Sequence, residues 1–165
     1  LSSCKETYPL PLNPNRFDLP PSEHVPVDQL IKFVEQQFTL NLSLSPSDRW
    51  VPRSVKPDGS IWFVSSGDWT TGFFPGCLWL IYELTGKPKW AREAQNKTRM
   101  LATRQFATDT HDLGFELFCS FGNGWRLAQP NGYDTVLVNG AHSLASRFNP
   151  TVGAIKSWDF ASPQD

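Results

Sequence analysis

The stretch DWTTGFFPGCLWLIYELTG, residues 68–86, decides how the rest of the chain is interpreted. Over residues 72–84, apolar side chains fall on nearly every face of a helix, which predicts a helix buried on all sides. Thr71 is the predicted N-cap, and Pro75 fits the first turn, where its missing N–H leaves no bond unmade. Gly86 marks the predicted end. The apolar run is shorter than the ~20 residues that span a bilayer, which favours a core helix.

Composition indicates a single globular domain without a polyionic partner. The 165 residues can bury a sizeable core, and 15 Lys+Arg nearly balance 16 Asp+Glu. This balance argues against nucleic acid or an anionic membrane as a partner. Aromatic residues make up 13% of the chain and include 7 Trp, a residue that binds flat apolar faces such as sugar rings but also fills cores.

The three cysteines, Cys4, Cys77 and Cys119, are predicted to be small buried hydrophobic residues. An odd number leaves at least one unpaired, and two of them lie in apolar helical runs. Neither a disulfide framework nor a metal site is therefore expected.

Two kinds of segment precede the central stretch. Residues 1–26 are rich in proline and lack apolar periodicity, which predicts an N-terminal arm, whereas residues 27–165 are predicted to form one helical domain. That domain begins with an amphipathic helix whose apolar positions are Leu30, Ile31, Val34, Phe38 and Leu42. Residues 45–60 are Pro- and Ser-rich and contain the turn dipeptide Asp58-Gly59.

One-sided and fully apolar helices alternate along the chain, which predicts an all-α fold. A one-sided helix with Trp90, Ala94 and Leu101 on its apolar face follows the central stretch, and a second apolar helix is predicted over residues 113–127. In it, Gly114, Ser120, Gly122 and Gly124 are expected to permit close packing. A last amphipathic helix carries Tyr133, Val136, Leu137, Leu144 and Phe148 and ends at Asn149-Pro150. An inner ring of helices covered by an outer ring would produce this alternation.

Polar residues concentrate at the predicted N-termini of the two apolar helices. Asp68 and Trp69 precede the first helix, and His111 and Asp112 precede the second. Free N–H groups and the helix dipole favour a bound carboxylate at such ends, so a cavity there could bind an acidic sugar and transfer protons. A second interpretation stays open: Asp112 is only the N-cap of its helix and His111 is an ordinary loop residue.

Three strings of the sequence resemble a known family: SSGDWTTGFFPGCLWLIYELTG, DTHDLGFELFCSFGNGWRL and SLASRFNPTVGAIKSWDF. They look like the N-terminal half of the unsaturated glucuronyl hydrolases, glycoside hydrolase family 88, in the family's order and spacing over residues 50–160. The related unsaturated rhamnogalacturonyl hydrolases share the fold and chemistry but are less similar around HDLGF. The resemblance implies an (α/α)6 barrel of six helical hairpins, of which this chain would supply under half.

The resemblance also implies an activity without metal or organic cofactor. Members of the family remove 4,5-unsaturated glucuronic acid from the non-reducing end of oligosaccharides made by polysaccharide lyases. A proton is delivered to the C4=C5 vinyl ether, water adds at C5, and the resulting hemiketal opens and expels the aglycone.

Site residues follow from the resemblance by motif. Asp112 matches one of two essential aspartates, the one that assists and orients, and His111 matches a substrate-contacting histidine. Trp69 and Trp158 match aromatic residues that pack against the unsaturated sugar, and Phe73 matches another wall residue.

The second essential aspartate of the family, the principal acid, is expected after residue 165. Asp159 and Asp165 do not lie in the matching motif. The 165-residue chain alone is therefore expected to be inactive, and the exposed edge of the incomplete barrel is expected to favour self-association. The alternatives are a noncatalytic sugar-binding or structural helical domain, and a catalytically incomplete fragment.

Overall fold

The computed structural model describes residues 26–159, and this part of the chain is mostly helical. Its helices are α1 (Val27–Leu44), α2 (Phe73–Thr85), α3 (Pro88–Arg99), a 3₁₀ helix (Ala102–Phe106), a π-helix (Gly114–Gly122), α4 (Asn123–Ala128) and α5 (Tyr133–Ala145). Two antiparallel hairpins pair β1 (Val51–Val55) with β2 (Ile61–Val64) and β3 (Phe148–Asn149) with β4 (Ala154–Ile155). The predicted N-terminal arm, apart from Pro26, and Cys4 lie outside the described residues.

Helix α2 has the predicted end but a different start. Thr71 is not the N-cap, because its hydroxyl donates to the backbone oxygen of Asp68 (2.7 Å) and Gly72 occupies the cap position without a side-chain hydrogen bond. Gly86 ends the helix as predicted, with a φ of 65° that glycine adopts without a Cβ penalty. Helix α3 begins at Pro88, whose fixed φ suits a first helical position.

Helix α2 is buried on one face and exposed on the other. The buried face carries Phe74, Pro75, Gly76, Leu78, Trp79 and Ile81. The exposed stripe, at successive spacings of four, three and four residues, consists of Phe73, Cys77, Leu80 and Leu84. The prediction of burial on every side is therefore wrong for the described residues, because α1, α3, α4 and the π-helix, which contact α2, leave this stripe exposed. Cys77 is exposed, contrary to its prediction, and Cys119 is partly buried.

Two glycines let α2 contact the backbone of the π-helix directly. A Cβ on Gly72 would lie 2.0 Å from the backbone oxygen of Phe115, and one on Gly76 would lie 2.7 Å from that of Cys119. Both contact points advance by four residues in the same direction, so the two helices run parallel. Their N-terminal ends, which carry the predicted site residues, therefore lie at the same end of the fold.

The second apolar helix departs from the prediction of one continuous α-helix. Residues 114–122 form a π-helix, and an α-helix follows at Asn123–Ala128. A Cβ on Gly124 would collide with Tyr133 and Trp79, which confirms close packing there, whereas a Cβ on Gly114 would meet nothing within 4 Å. The close-packing prediction for Gly114 is therefore wrong.

Helix α1 confirms the first predicted amphipathic helix and docks on the corner between α2 and α3. The Phe38 ring stacks on Phe74 at a centroid distance of 5.2 Å. The Glu35 carboxylate accepts hydrogen bonds from Lys87 Nζ (2.7 Å) and Trp90 Nε1 (2.8 Å). Hydrogen bonds from Lys87 first, and then from Trp90, hold the pKa of Glu35 below its ordinary value.

Helix α3 confirms the prediction of a one-sided covering helix. Trp90 and Ala94 are buried, and the indole of the fully buried Trp79 on α2 donates to Thr98 on α3 (3.3 Å). Leu101, just beyond the helix, is fully buried as well. The core therefore lies between α2, α3 and the π-helix.

The hairpin β1–β2 forms where the sequence predicted only a loop and a turn. The Asp58–Gly59 turn is confirmed: Gly59 has a φ of 84°, and Asp58 accepts a hydrogen bond from the Ser60 amide (2.9 Å). The hairpin places Val51 opposite Val64, and both are buried.

Helix α5 is shorter than predicted. It ends at Ala145, and Phe148 lies beyond it in β3 with half of its surface exposed, so Phe148 is not part of the helix face. Within residues 26–159, no helix combines the length and the hydrophobicity needed to cross a bilayer.

We predict that Gly72→Ala destabilises the fold because the new methyl would overlap the π-helix backbone, which cannot move away as a flexible side chain would. Overpacking of this kind costs about 1–3 kcal/mol, and each kcal/mol lowers the melting temperature by about 2–4 °C in a chain of this size. Gly114→Ala is the matched control and should melt at or slightly above the wild-type temperature. Equal melting of the two variants in circular dichroism would contradict the backbone contact.

Candidate functional site

A buried carboxylate, that of Asp112, lies at the shared end of α2 and the π-helix. Asp112 is 5% exposed. Its Oδ2 accepts a hydrogen bond from the indole N–H of Trp158 (2.8 Å) and one from the hydroxyl of Thr110 (3.2 Å). The Thr110 hydroxyl oxygen in turn accepts a bond from the Asp112 amide (3.1 Å). The side chain is thereby fixed between the preceding loop and a segment 46 residues away in sequence.

The Asp112 side chain does not cap its helix. Leu113 occupies the N-cap position without a side-chain hydrogen bond, and Asp112 serves the first turn through its backbone oxygen, which accepts from Phe115 N (2.9 Å) and Glu116 N (3.2 Å). The interpretation of Asp112 as only an N-cap is therefore wrong. Its carboxylate is directed to Trp158 instead.

His111 lies beside this carboxylate and is partly exposed. Its Nε2 is 3.5 Å from Asp112 Oδ1, and its Nδ1 is 3.2 Å from the hydroxyl of Ser157. The imidazole and Trp158 rings are in a T-shaped arrangement at a centroid distance of 4.8 Å. His111, Asp112 and Trp158, three of the residues that the resemblance singled out, thus form one contact cluster.

Three exposed aromatic rings form a second cluster at the same end. Trp69 lies 6.0 Å from Phe73 and 5.9 Å from Phe115, and Phe73 lies 5.5 Å from Phe115, all between ring centroids. Trp69 is 44% exposed, so it is not a core residue. Sequence reasoning missed Phe115, because an apolar residue in an apolar helix carries no signal that separates a site wall from a core position.

The two clusters are joined through the first turn of the π-helix. Phe115 follows Asp112 by three residues, and its amide donates to the Asp112 backbone oxygen (2.9 Å). Trp69 and Phe73 therefore reach the carboxylate cluster by way of Phe115. The structure brings all five predicted residues to one end of the fold.

Asp68 orients the loop that carries Trp69. Its carboxylate accepts hydrogen bonds from the hydroxyl (2.6 Å) and amide (3.0 Å) of Thr70 and lies 3.1 Å from Arg53 Nε. Partial burial tends to raise the pKa of Asp68, but the Thr70 hydrogen bonds and the Arg53 charge outweigh it, so the pKa lies below its ordinary value. Sequence reasoning missed Arg53, which reaches Asp68 from the β1 strand.

A second buried carboxylate, Glu116, is unsuited to contact a ligand. It is fully buried, and Arg104 Nε and Nη2 donate to its two oxygens at 2.5 and 3.1 Å. Burial raises the pKa of Glu116, and the hydrogen bonds and charge of Arg104 oppose this. The pair ties the 3₁₀ helix to the π-helix beneath Asp112.

Exposed rings around a buried carboxylate can bind a sugar through apolar stacking and act on it by proton transfer. Within the part of the chain that the structure describes, no group of three or more His, Cys, Asp or Glu side chains is placed to hold a metal ion. The described residues thus form two parallel helices covered by an outer helix, with a candidate site at the N-terminal ends of the parallel pair, an arrangement that is compatible with part of a layered helical barrel.

Comparison with known proteins identifies the proteins to which this chain is similar. The unsaturated glucuronyl hydrolase of Formosa agariphila is 46% identical over 98 residues, which cover 59% of this chain and 24% of that protein. The unsaturated chondroitin disaccharide hydrolase of Streptococcus pyogenes is 29% identical over 135 residues, 80% of this chain and 33% of that protein. No family model matches the chain.

Solved structures agree with these relatives. An unsaturated glucuronyl hydrolase specific for heparin has a TM-score of 0.75 and 46% identity, over 82% of this chain and 37% of that one. A mutant of the Streptococcus agalactiae enzyme, complexed with dGlcA-GalNAc6S, has a TM-score of 0.69 and 24% identity, over 83% and 37% of the two chains. Since the neighbours are (α/α)6 barrels, the described fold is part of such a barrel, and the predicted fold class is confirmed.

The chain is a homologue of the unsaturated glucuronyl hydrolases, which confirms the resemblance found in the sequence. It spans about a quarter to a third of the length of the two curated relatives described above.

We predict that Trp69→Ala leaves the melting temperature nearly unchanged, because the ring is half exposed and contacts two other exposed rings. Trp79→Ala is the matched control: its ring is fully buried, and truncation of a core tryptophan costs about 3–5 kcal/mol. Thermal melts of both variants test the assignment. A similar large loss in both would show that Trp69 is a packing residue.

Proposed function

We propose that the site formed by His111, Asp112 and Trp158, together with the Trp69–Phe73–Phe115 cluster, binds 4,5-unsaturated glucuronic acid. The ligand is the non-reducing end of an oligosaccharide made by a polysaccharide lyase, and the protein removes that sugar by hydrating its vinyl ether. The observation that carries the proposal is the buried Asp112 carboxylate, bound by Trp158 at 2.8 Å beside a set of exposed rings. The homology supports it.

The proposed substrate class is an oligosaccharide derived from a glycosaminoglycan. The names of the relatives support it, since one acts on unsaturated chondroitin disaccharides and a solved neighbour is specific for heparin. The composition is compatible with this substrate class as well. Because the net charge is only −1, an acidic sugar would be recognised by individual groups in the site and not by the overall charge of the protein. His111, partly exposed beside the carboxylate, is the group proposed to contact the sugar.

The exposed rings suit an unsaturated sugar for a geometric reason. A C4=C5 double bond flattens that part of the pyranose ring, and a flat apolar face stacks on an aromatic ring. Trp69 and Trp158 are each about two-fifths exposed, one in each of the two clusters. They are proposed to bind the sugar and to take no part in the transfer of protons.

The proposed chemistry differs from hydrolysis by two carboxylates that flank the glycosidic bond. A proton adds at C4 while the oxygen of water bonds to C5, which gives a hemiketal. The hemiketal then opens: its ring C–O bond at C5 breaks, the C5 hydroxyl becomes a ketone, and a proton moves to the former ring oxygen. The resulting hemiacetal at C1 collapses to an aldehyde as the bond to the aglycone breaks and the aglycone oxygen takes up the proton. Asp112 is proposed to orient the water and to assist its deprotonation, since a fixed carboxylate oxygen is a hydrogen-bond acceptor for water.

Asp68 and Asp159 are unsuited to the role of principal acid. Both have a pKa below the ordinary value, Asp68 for the reasons given above and Asp159 because of hydrogen bonds from Lys156 and then Arg147. A carboxylate of this kind holds no proton to donate near neutral pH. Glu116 is enclosed by Arg104. Within residues 26–159, Asp112 is therefore the carboxylate to which we assign a catalytic role.

The unsuitability of Asp68, Asp159 and Glu116 as the principal acid also favours a second candidate function. In it, the chain on its own binds the unsaturated sugar without turning it over. The resemblance implies two aspartates, and Asp68, Asp159 and Glu116 are unsuited to the role of the second. The sugar-binding rings do not depend on the second aspartate. Binding and turnover are therefore separable.

We predict that Asp112→Asn greatly slows turnover with little loss of stability. The test uses a form of the protein, this chain or a longer one, that hydrolyses an unsaturated disaccharide. The amide keeps the size of the side chain and an oxygen that accepts from Trp158, but it loses the charge. Acid–base assistance is worth ~10²–10⁴-fold in rate. The assay follows loss of the vinyl ether's ultraviolet absorbance, with Asp134→Asn, a carboxylate in the first turn of α5, as the control. A wild-type rate for Asp112→Asn would refute the catalytic role.

For the 165-residue chain alone, we predict self-association and no turnover. Large apolar side chains on the π-helix, α4 and α5 are exposed, among them Phe118, Trp125 and Val138, and they border an open groove of about 480 Å³. Exposed apolar patches favour association. Sedimentation velocity at two concentrations and the absorbance assay test both parts. A monomer at both concentrations that also hydrolyses the disaccharide would contradict this prediction.

A further inference from the structure

The guanidinium of Arg147 lies at the junction of three segments near the site. Its side chain is 4% exposed, although arginine is rarely buried without partners. It donates to the backbone oxygens of Thr108, Lys156 (2.9 Å) and Ser157, and it lies 3.2 Å from the Asp159 carboxylate. Its interactions are therefore mainly with backbone carbonyls, which fix the path of the chain.

These partners belong to the two segments that form the carboxylate cluster. Thr108 lies four residues before Asp112, at the start of the loop that carries His111. Lys156, Ser157 and Asp159 surround Trp158 in sequence. A backbone hydrogen bond from Asp159 N to Asp109 O (3.3 Å) joins the same two segments.

We propose that Arg147 is a positioning residue that holds the Trp158 indole against the Asp112 carboxylate. The Trp158 segment follows the two-residue strand β4 and is exposed over most of its length, so its own secondary structure does little to fix it. The buried Arg147 side chain supplies this constraint through its hydrogen bonds to the Trp158 segment. Its effect on sugar binding rests on the function proposed above, whereas its effect on Trp158 does not.

Arginine suits this role and lysine does not. A guanidinium presents five N–H donors in a planar fork, which can reach four acceptors on two segments at once. A lysine ammonium has three donors on one nitrogen and cannot span the same carbonyls. Arg147→Lys therefore keeps the positive charge but removes the planar set of donors that reaches both segments.

The test is nuclear magnetic resonance of the indole N–H groups of the 165-residue chain, which contains 7 Trp. Trp158→Phe identifies the Trp158 signal. In Arg147→Lys, we expect that signal to shift and its hydrogen exchange to accelerate by roughly tenfold or more, because a hydrogen bond to a charged group is lost. The buried Trp79 and Trp90 signals should stay in place, which distinguishes local repositioning from unfolding.

Arg126→Lys is the matched control. Arg126 pairs with Glu83 at 2.6 Å between α4 and α2, away from this cluster, and its substitution should leave the Trp158 signal unchanged. Unchanged Trp158 shift and exchange in Arg147→Lys would overturn the proposal. If Arg147→Lys does not fold, Asp159→Ala decides: it removes the exposed side-chain oxygens that Arg147 contacts, and a smaller shift of the same signal supports the proposal whereas no shift refutes it.

Titration of each variant with an unsaturated chondroitin disaccharide separates this proposal from the proposed function. We expect Arg147→Lys to bind roughly tenfold more weakly than wild type, while Arg126→Lys binds as wild type does. If the wild-type chain does not bind the disaccharide, the proposed binding function fails for this chain. The indole signal still decides the role of Arg147 in that case.

Discussion

The backbone contact between α2 and the π-helix is the constraint on which the site depends. Gly72 and Gly76 have no Cβ, so the two helices approach until a methyl group would overlap a carbonyl oxygen. The two helices run parallel, so their N-terminal ends lie at the same end of the fold. The loop with Trp69 and the loop with His111 and Asp112 then lie at that same end. Small residues at a helix contact thus determine which polar residues can act on one ligand.

Each proposed sugar-binding tryptophan lies next to an aspartate that an arginine contacts from another element. Arg53 on β1 lies 3.1 Å from Asp68, the residue before Trp69, and Arg147 lies 3.2 Å from Asp159, the residue after Trp158. Loops have few backbone hydrogen bonds of their own to fix a side chain. An ion pair beside the tryptophan supplies that order while leaving the ring exposed for a ligand.

The sequence predicted the features that local rules control. Gly86 marked the end of α2, and the accumulation of Asp, Trp and His at two helix ends indicated the candidate site, because helix ends and apolar periodicity are local. The exposed stripe of Leu80 and Leu84 was missed, since hydrophobicity shows what favours burial and not whether a neighbour covers it. Arg147 was missed for a related reason: its contact with Thr108 spans 39 residues and involves a carbonyl, which every residue type has. The π-helix has no distinct apolar pattern to reveal it.

The partners of the carboxylates at this end of the fold explain why Asp112 differs from the others. Asp68 and Asp159 lie against permanent cations, and Glu116 is bound by Arg104. An arginine beside a carboxylate favours its ionised form and occupies acceptor positions on it. Asp112 is bound instead by the neutral indole of Trp158 and the neutral hydroxyl of Thr110, both on Oδ2. Its Oδ1 faces only His111, at 3.5 Å, among the interactions described above. An oxygen of this kind can accept a hydrogen bond from water, so the same arrangement that buries the carboxylate also leaves it one oxygen with which to act.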